Sequence, residues 1–159
     1  MTKHLKVISL IVFTLFLACK SEREFIPNRI SGLDLTNKIV GSEAEEFVNR
    51  LHFGNVAAVK NEIGFYSSPN GTAIIYVSYY EKLTDSAKNL ELMVKKISPE
   101  NSVFMGGESF DLHGVRVYRY SGMGQIHFVF TYQTELYWLS AEARWAEKFL
   151  NDYLTLIKD

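Results

Sequence analysis

Residues Thr72 to Glu81 read Thr-Ala-Ile-Ile-Tyr-Val-Ser-Tyr-Tyr-Glu, and both faces of that alternation are apolar. In an extended segment successive side chains point to opposite sides. Ala73, Ile75, Val77 and Tyr79 therefore share one face, while Ile74, Tyr76 and Tyr80 share the other. A strand with two apolar faces belongs inside a sheet that is covered on both surfaces.

The covering elements are legible as helices. Ser42 with Glu45 three residues on forms a capping box. Ala44, Phe47, Val48 and Leu51 then fall at i, i+3, i+4 and i+7, and Gly54 is a natural stop. A second helix is predicted from about Asp85 to Ile97, with Ala87, Leu90, Met93, Val94 and Ile97 on one face and Ser98-Pro99 ending it. The last helix is predicted to start near Ser140 or Glu142, its face formed by Trp145, Ala146, Phe149, Leu150, Tyr153 and Ile157. Strands are predicted over Val56–Tyr66, joined through Ser68-Pro69-Asn70-Gly71 to Thr72–Glu81 as a hairpin. Three more form a meander over Gly114–Tyr120, Gln125–Thr134 and Leu136–Ala141, after a loop that contains Gly106 and Gly107.

The order is helix, two strands, helix, three strands, helix. Hairpin-joined strands with helices between the runs imply an α+β fold, a mainly antiparallel sheet of about five strands packed with three helices. In element order alone this is similar to small periplasmic sheet-and-helix domains of the photosystem PsbP and Mog1 type, with no motif or functional residue shared. The two helix-plus-strand halves also hint at an internal duplication.

The N-terminus carries a different message. Lys3 and Lys6 precede a short apolar run from Val7 to Leu17, whose end leads into the string Phe16-Leu17-Ala18-Cys19. A positive start, an apolar stretch too short to span a bilayer and a small residue before the cut describe a secretory signal peptide. Cys19 is the single cysteine of the 159 residues. The string resembles the lipobox of the bacterial lipoprotein family, with Phe16 where Leu is usual. That resemblance implies cleavage before Cys19, diacylation of its thiol and membrane attachment through the lipid. It also implies a place outside the cytoplasm, the outer membrane favoured over the inner because Lys20 rather than Asp follows the cysteine. The expected organisation is a signal peptide over 1–18, a lipidated tether over 19–38 and one domain over 39–159. The tether is polar, although Phe25-Ile26 and Leu33-Asp34-Leu35 are able to pack on the domain as an edge strand.

Removal of the signal leaves 141 residues, the size of one domain, with a net charge near −3. No basic stripe exists to neutralise phosphates, so nucleic acid is not an expected partner. With no second thiol for a disulfide or zinc cage, packing alone has to hold the fold. A content of 47% apolar and 14% aromatic residues suffices for that.

Catalytic constellations are not evident. Gly122-Met123-Gly124-Gln125-Ile126-His127 lacks the third glycine and the following helix of a dinucleotide loop, and reads as a hairpin turn. Gly107-Glu108-Ser109-Phe110-Asp111 misses the last glycine of a nucleophile elbow. His52 suits a helix C-terminus, His113 a turn, and His127 a central strand beside Val129 and Thr131. A lone strand histidine reads as a hydrogen-bonded core or surface residue before it reads as a base or ligand. Met105, Met123, His113 and His127 suit copper in principle, but no spacing demands it. No cofactor or metal is therefore expected, and a small hydrolase or metal-dependent enzyme using His127 or His113 is the weaker reading.

Aromatic residues are the remaining candidates for binding. Ile126, Phe128, Phe130 and Tyr132 line one face of a strand, Arg116, Tyr118 and Tyr120 a face of its neighbour, and Leu136, Trp138 and Ser140 alternate on the next. If no helix covers that side, Arg116, Tyr118, Tyr120, Gln125, His127, Phe128, Phe130 and Trp138 build a groove for a small hydrophobic or anionic ligand. If a helix does, they are core. The expected role is a lipid-anchored, non-catalytic binding or assembly domain with an envelope protein as partner; the alternative is a carrier of a small ligand.

Overall fold

A computed structural model describes residues 24–52, 58–69, 71–97 and 103–159 of the chain. The signal segment, Cys19, Gly54 and Ser98-Pro99 lie outside them. The described elements are β1 (Arg29–Ile30), β2 (Leu33–Val40), α1 (Gly41–His52), β3 (Lys60–Ser68), β4 (Gly71–Tyr79), α2 (Leu83–Lys96), β5 (Met105–Leu112), β6 (Val115–Gly122), β7 (Gln125–Tyr132), β8 (Glu135–Glu142) and α3 (Ala143–Lys158). The strands form one sheet in the order β1-β2-β3-β4-β8-β7-β6-β5, and each neighbouring pair is antiparallel. The fold is α+β with three described helices, as expected, but the sheet has eight strands rather than about five.

Two four-stranded meanders meet where β4 pairs with β8, and α2 carries the chain from the centre to the far edge. The two-sided strand lies at that centre. Ala73, Ile75 and Val77 pack in the large cluster beneath α3, while Ile74 and Tyr76 join Phe47, Ala44 and Val48 of α1 on the other side. Helix α2 shares that second side, over Val129 and Leu136. The result is three layers, with α1 and α2 on one face of the sheet and α3 on the other.

Helix α3 supplies most of the larger core. Its Ala146, Phe149, Leu150, Tyr153, Leu154 and Ile157 are all fully buried. Truncating a ring such as Phe149 there removes ~3–5 kcal/mol. Polar contacts tie the helix to two hairpin turns. Ser31 donates to Asp152 at 2.6 Å, the His113 ring meets Asn151 at 2.8 Å, and the Lys158 ammonium reaches the His113 carbonyl. The turns His113-Gly114 and Met123-Gly124 hold their first residues at φ 52 and their glycines at φ 73 and 77. Paired positive φ is the signature of two-residue hairpin loops that match strand twist.

The strands that the sequence pattern does not announce lie toward the two edges of the sheet. Residues 24–38, placed in the tether by their polarity, contain β1 and most of β2, and Phe25, Ile26, Ile30 and Leu33 are buried in the α3-side cluster. The Ile26 side chain occupies the space where a Cβ on Gly64 would stand, 2.7 Å from it. Backbone carbonyls of this segment are also used. Tyr153 donates to Phe25 at 2.7 Å, Tyr66 to Pro27 at 2.9 Å, and the Leu35 amide to Asn28 at 2.9 Å. At the other edge β5 replaces the expected loop. Its glycines take φ 96 and 101, and the register slips between Gly106 and Glu108. Such a bulge twists an edge away from further pairing. Helix α1 begins at Gly41, one residue ahead of the expected Ser42 cap, with Gly41 itself at φ 65.

Candidate functional site

The pleat decides which candidate residues meet. Tyr118 stands opposite Val129, Tyr120 opposite His127, Val129 opposite Trp138 and His127 opposite Ser140. Directly paired residues share a face, so Arg116, Tyr118, Tyr120, Gln125, His127, Trp138 and Ser140 lie on the α1/α2 side. Phe128 and Phe130 lie on the opposite side, fully buried under α3, where Phe130 stacks on Tyr137 at 5.0 Å. The eight candidates therefore do not form one groove. Arg116 is placed toward the edge, paired with Asp111 at 3.0 Å and reaching Ser109 Oγ at 3.4 Å. Gln125 pairs in register with Glu142 at the start of β7.

What remains together is a compact cluster around His127. Three rings stand mutually edge-on: Phe104 is 4.9 Å from His127 and 5.5 Å from Trp138, and His127 is 5.6 Å from Trp138. Phe104 has no periodic signature in the sequence. It precedes β5 and is fixed by its fit to Gly122, whose Cβ, if present, would lie 2.6 Å from the ring.

Hydrogen bonds in this cluster form a closed chain. His127 Nε2 lies 3.0 Å from the Gly122 carbonyl oxygen, an acceptor only, so Nε2 carries the proton and donates. Nδ1 is then an acceptor and takes the Ser140 hydroxyl proton at 2.8 Å. Trp138 Nε1–H in turn donates to Ser140 Oγ at 2.9 Å, with His127 Nδ1 at 3.1 Å as a second acceptor. Burial pushes the imidazole below its ordinary pKa, against the opposing hydrogen bond to Gly122. The ring is neutral near pH 7.

Ser140 and His127 have the separation of a nucleophile and its base, but not the surroundings. Both are buried, and the second ring nitrogen points to a main-chain carbonyl where a triad has a carboxylate. Trp138 already occupies the serine oxygen. The arrangement gives every strong donor and acceptor of the ring a partner inside the sheet, which suits a core polar network.

A second polar cluster lies on the α3 side, at the other end of the strands. Glu62 accepts from Tyr79 Oη at 2.8 Å and pairs with Lys60 at 2.8 Å and Lys38 at 3.9 Å. Burial raises the carboxyl pKa, but the bonds from Lys60 and Tyr79 and the nearby lysine charges outweigh it and hold the group below its ordinary value. The Lys60 ammonium also sits 4.9 Å from the Tyr79 ring centre, and Phe25 meets that ring edge-on at 5.7 Å. The alternation Lys60, Glu62 on one strand was the available sequence signal for this cluster. Among the described residues no group of three or more His, Cys, Asp and Glu is placed to hold a metal ion. No described helix is long and apolar enough to cross a membrane. No protein-family model, curated protein or solved structure matches the chain.

Proposed function

We propose that this chain is a lipid-anchored domain of the bacterial envelope that works outside the cytoplasm by binding or assembly, without chemistry of its own. The anchor reading rests on Cys19 and the signal before it. The non-catalytic reading rests on one observation, the burial of the His127–Ser140 pair inside the sheet with a main-chain carbonyl where an orienting carboxylate would stand, which keeps the pair from a substrate. The small-ligand alternative has less to stand on, because Phe128 and Phe130, the floor of the expected groove, are covered by α3.

Metabolic labelling tests the anchor. Full-length protein expressed in a bacterial host with an alkynyl palmitate analogue is expected to take up label and to enter the detergent phase on Triton X-114 partitioning. The Cys19→Ser variant is expected to do neither. Equal labelling or equal partitioning of the two proteins refutes the anchor. Native mass spectrometry of protein from its own host is expected to show no small-molecule adduct; a stoichiometric one favours the carrier.

A further inference from the structure

Apart from Leu92 on α2, the exposed large apolar side chains among the described residues gather at the two ends of the strands. Val40 (49% exposed), Val59 (68%) and Leu83 (64%) lie at the end where β2 and β4 finish and β3 and β8 begin. Val103, Met105 and Met123 lie at the opposite end, around the Met123-Gly124 turn and the start of β5. Either end has the composition of a contact surface, and the position of the anchor discriminates between them.

Phe25 is the first buried residue of the described chain, wedged against Tyr79 at 5.7 Å and Tyr137 at 5.9 Å. Tyr79 is the last residue of β4 and stands opposite Lys60, the first of β3, and Glu135, the first of β8. The chain thus joins the core at the Val59 end. Five residues, Lys20 to Glu24, separate Cys19 from Phe25. Fully extended, the six steps from Cys19 to Phe25 reach at most about 20 Å. The opposite end lies at or beyond that limit. Strand β8 runs from Glu135 to Glu142, and Phe25 meets Tyr137 and the Tyr79 that pairs with Glu135, so at ~3.3 Å per residue the far end of β8 lies roughly 17–23 Å from the Phe25 level, with the Met123 turn beyond it.

The geometry points to a membrane-facing surface: the end of the sheet carrying Val40, Val59 and Leu83 rests on the lipid bilayer that holds the acylated Cys19. This rests on the anchor reading above. A lysine adjoins each apolar side chain in sequence, Lys38 before Ile39-Val40, Lys60 after Val59 and Lys82 before Leu83. Long lysine stems suit an interface, with the apolar neighbour dipping inward and the ammonium held at the headgroups. Charge does not drive the contact. Lys38 and Lys60 are paired with Glu62, and Glu81 stands beside Lys82, with Glu43 and Asp85 in the first turns of α1 and α2. The partner is a lipid surface met by apolar side chains and held close by the short spacer, so the contact is expected to persist in salt.

The test uses the full lipidated chain with one added thiol, at Val59→Cys, Leu83→Cys or, as the distal reference, Met123→Cys. Each is labelled with the environment-sensitive dye NBD and reconstituted on vesicles of phosphatidylethanolamine and phosphatidylglycerol. Nitroxide-headgroup lipids are expected to quench dye at 59 and 83 several-fold more strongly than dye at 123, and at the same level after the anionic lipid is replaced by phosphatidylcholine. Equal quenching at all three positions in protein that floats with the vesicles overturns the orientation while leaving the anchor standing. Protein that does not float with the vesicles overturns both. A long Gly/Ser insert between Ser21 and Glu22 is expected to weaken the quenching at 83; unchanged quenching would show that the spacer does not set the orientation.

Discussion

The placement of Phe25 inside the core is open to a direct measurement. Phe25→Ala removes a ring that is 7% exposed and makes two edge-on aromatic contacts, with Tyr79 and Tyr137. Buried Phe→Ala changes cost ~3–5 kcal/mol. This ring sits where the chain enters the core, so water fills part of the cavity and the low end, about 3 kcal/mol, applies. The main-chain acceptor for Tyr153 survives the substitution, so no orphaned hydroxyl adds to that figure. At ~2–8 °C per kcal/mol for domains of this size range, the midpoint falls by about 10 °C. Urea unfolding of the Cys19→Ser mature chain, with and without the change, gives the free energy by linear extrapolation. The exposed neighbour Glu24, replaced by Ala, serves as control and is expected to stay within ~0.5 kcal/mol. A loss below ~1 kcal/mol with an unchanged urea slope would mean that the segment is a detachable tether.

Gly64→Ala drives a methyl against Ile26 at 2.7 Å and the Tyr66 ring at 2.9 Å, and is expected to lower stability by ~1–3 kcal/mol in the same urea assay. Tyr79→Phe removes the hydroxyl bond to the Glu62 carboxylate, a loss of ~1.5–3 kcal/mol near neutral pH. Because Glu62 is held below its ordinary pKa, that stabilisation is complete above the unfolded value of about 4.3 and disappears as pH falls through the folded one. His127 titrates in the other sense. Its folded pKa is depressed below the unfolded ~6.5, so below that pH the unfolded chain binds the extra proton and stability declines. His127→Gln is expected to flatten the decline between about pH 7 and 5.5; an unaltered slope would show that the ring is not held neutral.

Legibility of the fold followed burial. Strand β4, α3 and the hairpin at Ser68-Pro69 are written in apolar periodicity or turn chemistry because both faces of β4 and one face of α3 are inaccessible. Strand β5 was not, because it is paired on one side, largely exposed along its length and interrupted by two glycines, so no alternation was required of it. Strand β2 buries Leu33 and Ile39 but changes register between Leu35 and Asn37, which breaks the period-two pattern where it would have been read. The aromatic groove failed for a related reason. Each strand's two faces are evident from sequence, but which face of β7 lies beside which face of β6 is fixed by pairing register. Val129, rather than Phe128 or Phe130, stands opposite Tyr118 and Trp138, so the larger rings turn to α3.

The same register argument separates the molecule's two polar clusters along the strands as well as by face. Ser140 lies five residues along β8 from Glu135 and three from Tyr137, so at ~3.3 Å per step the His127 cluster is roughly 17 Å from the level of Tyr79 and about 10 Å from that of Glu62. With Cys19 lipidated as proposed, a spacer reaching at most about 20 Å would hold the Phe25 end near the bilayer and turn the His127 end toward water. There Phe104, Trp138 and Tyr118 are only half-buried, and Met123 and Met105 stand exposed beside them. On the proposed reading, binding at the aromatic end would be mechanically independent of attachment at the lysine-flanked end. Gly122→Ala, which displaces Phe104 from 2.6 Å contact, is expected to disturb the first without altering the vesicle quenching at position 83. Loss of both together would mean that the two ends act as one surface.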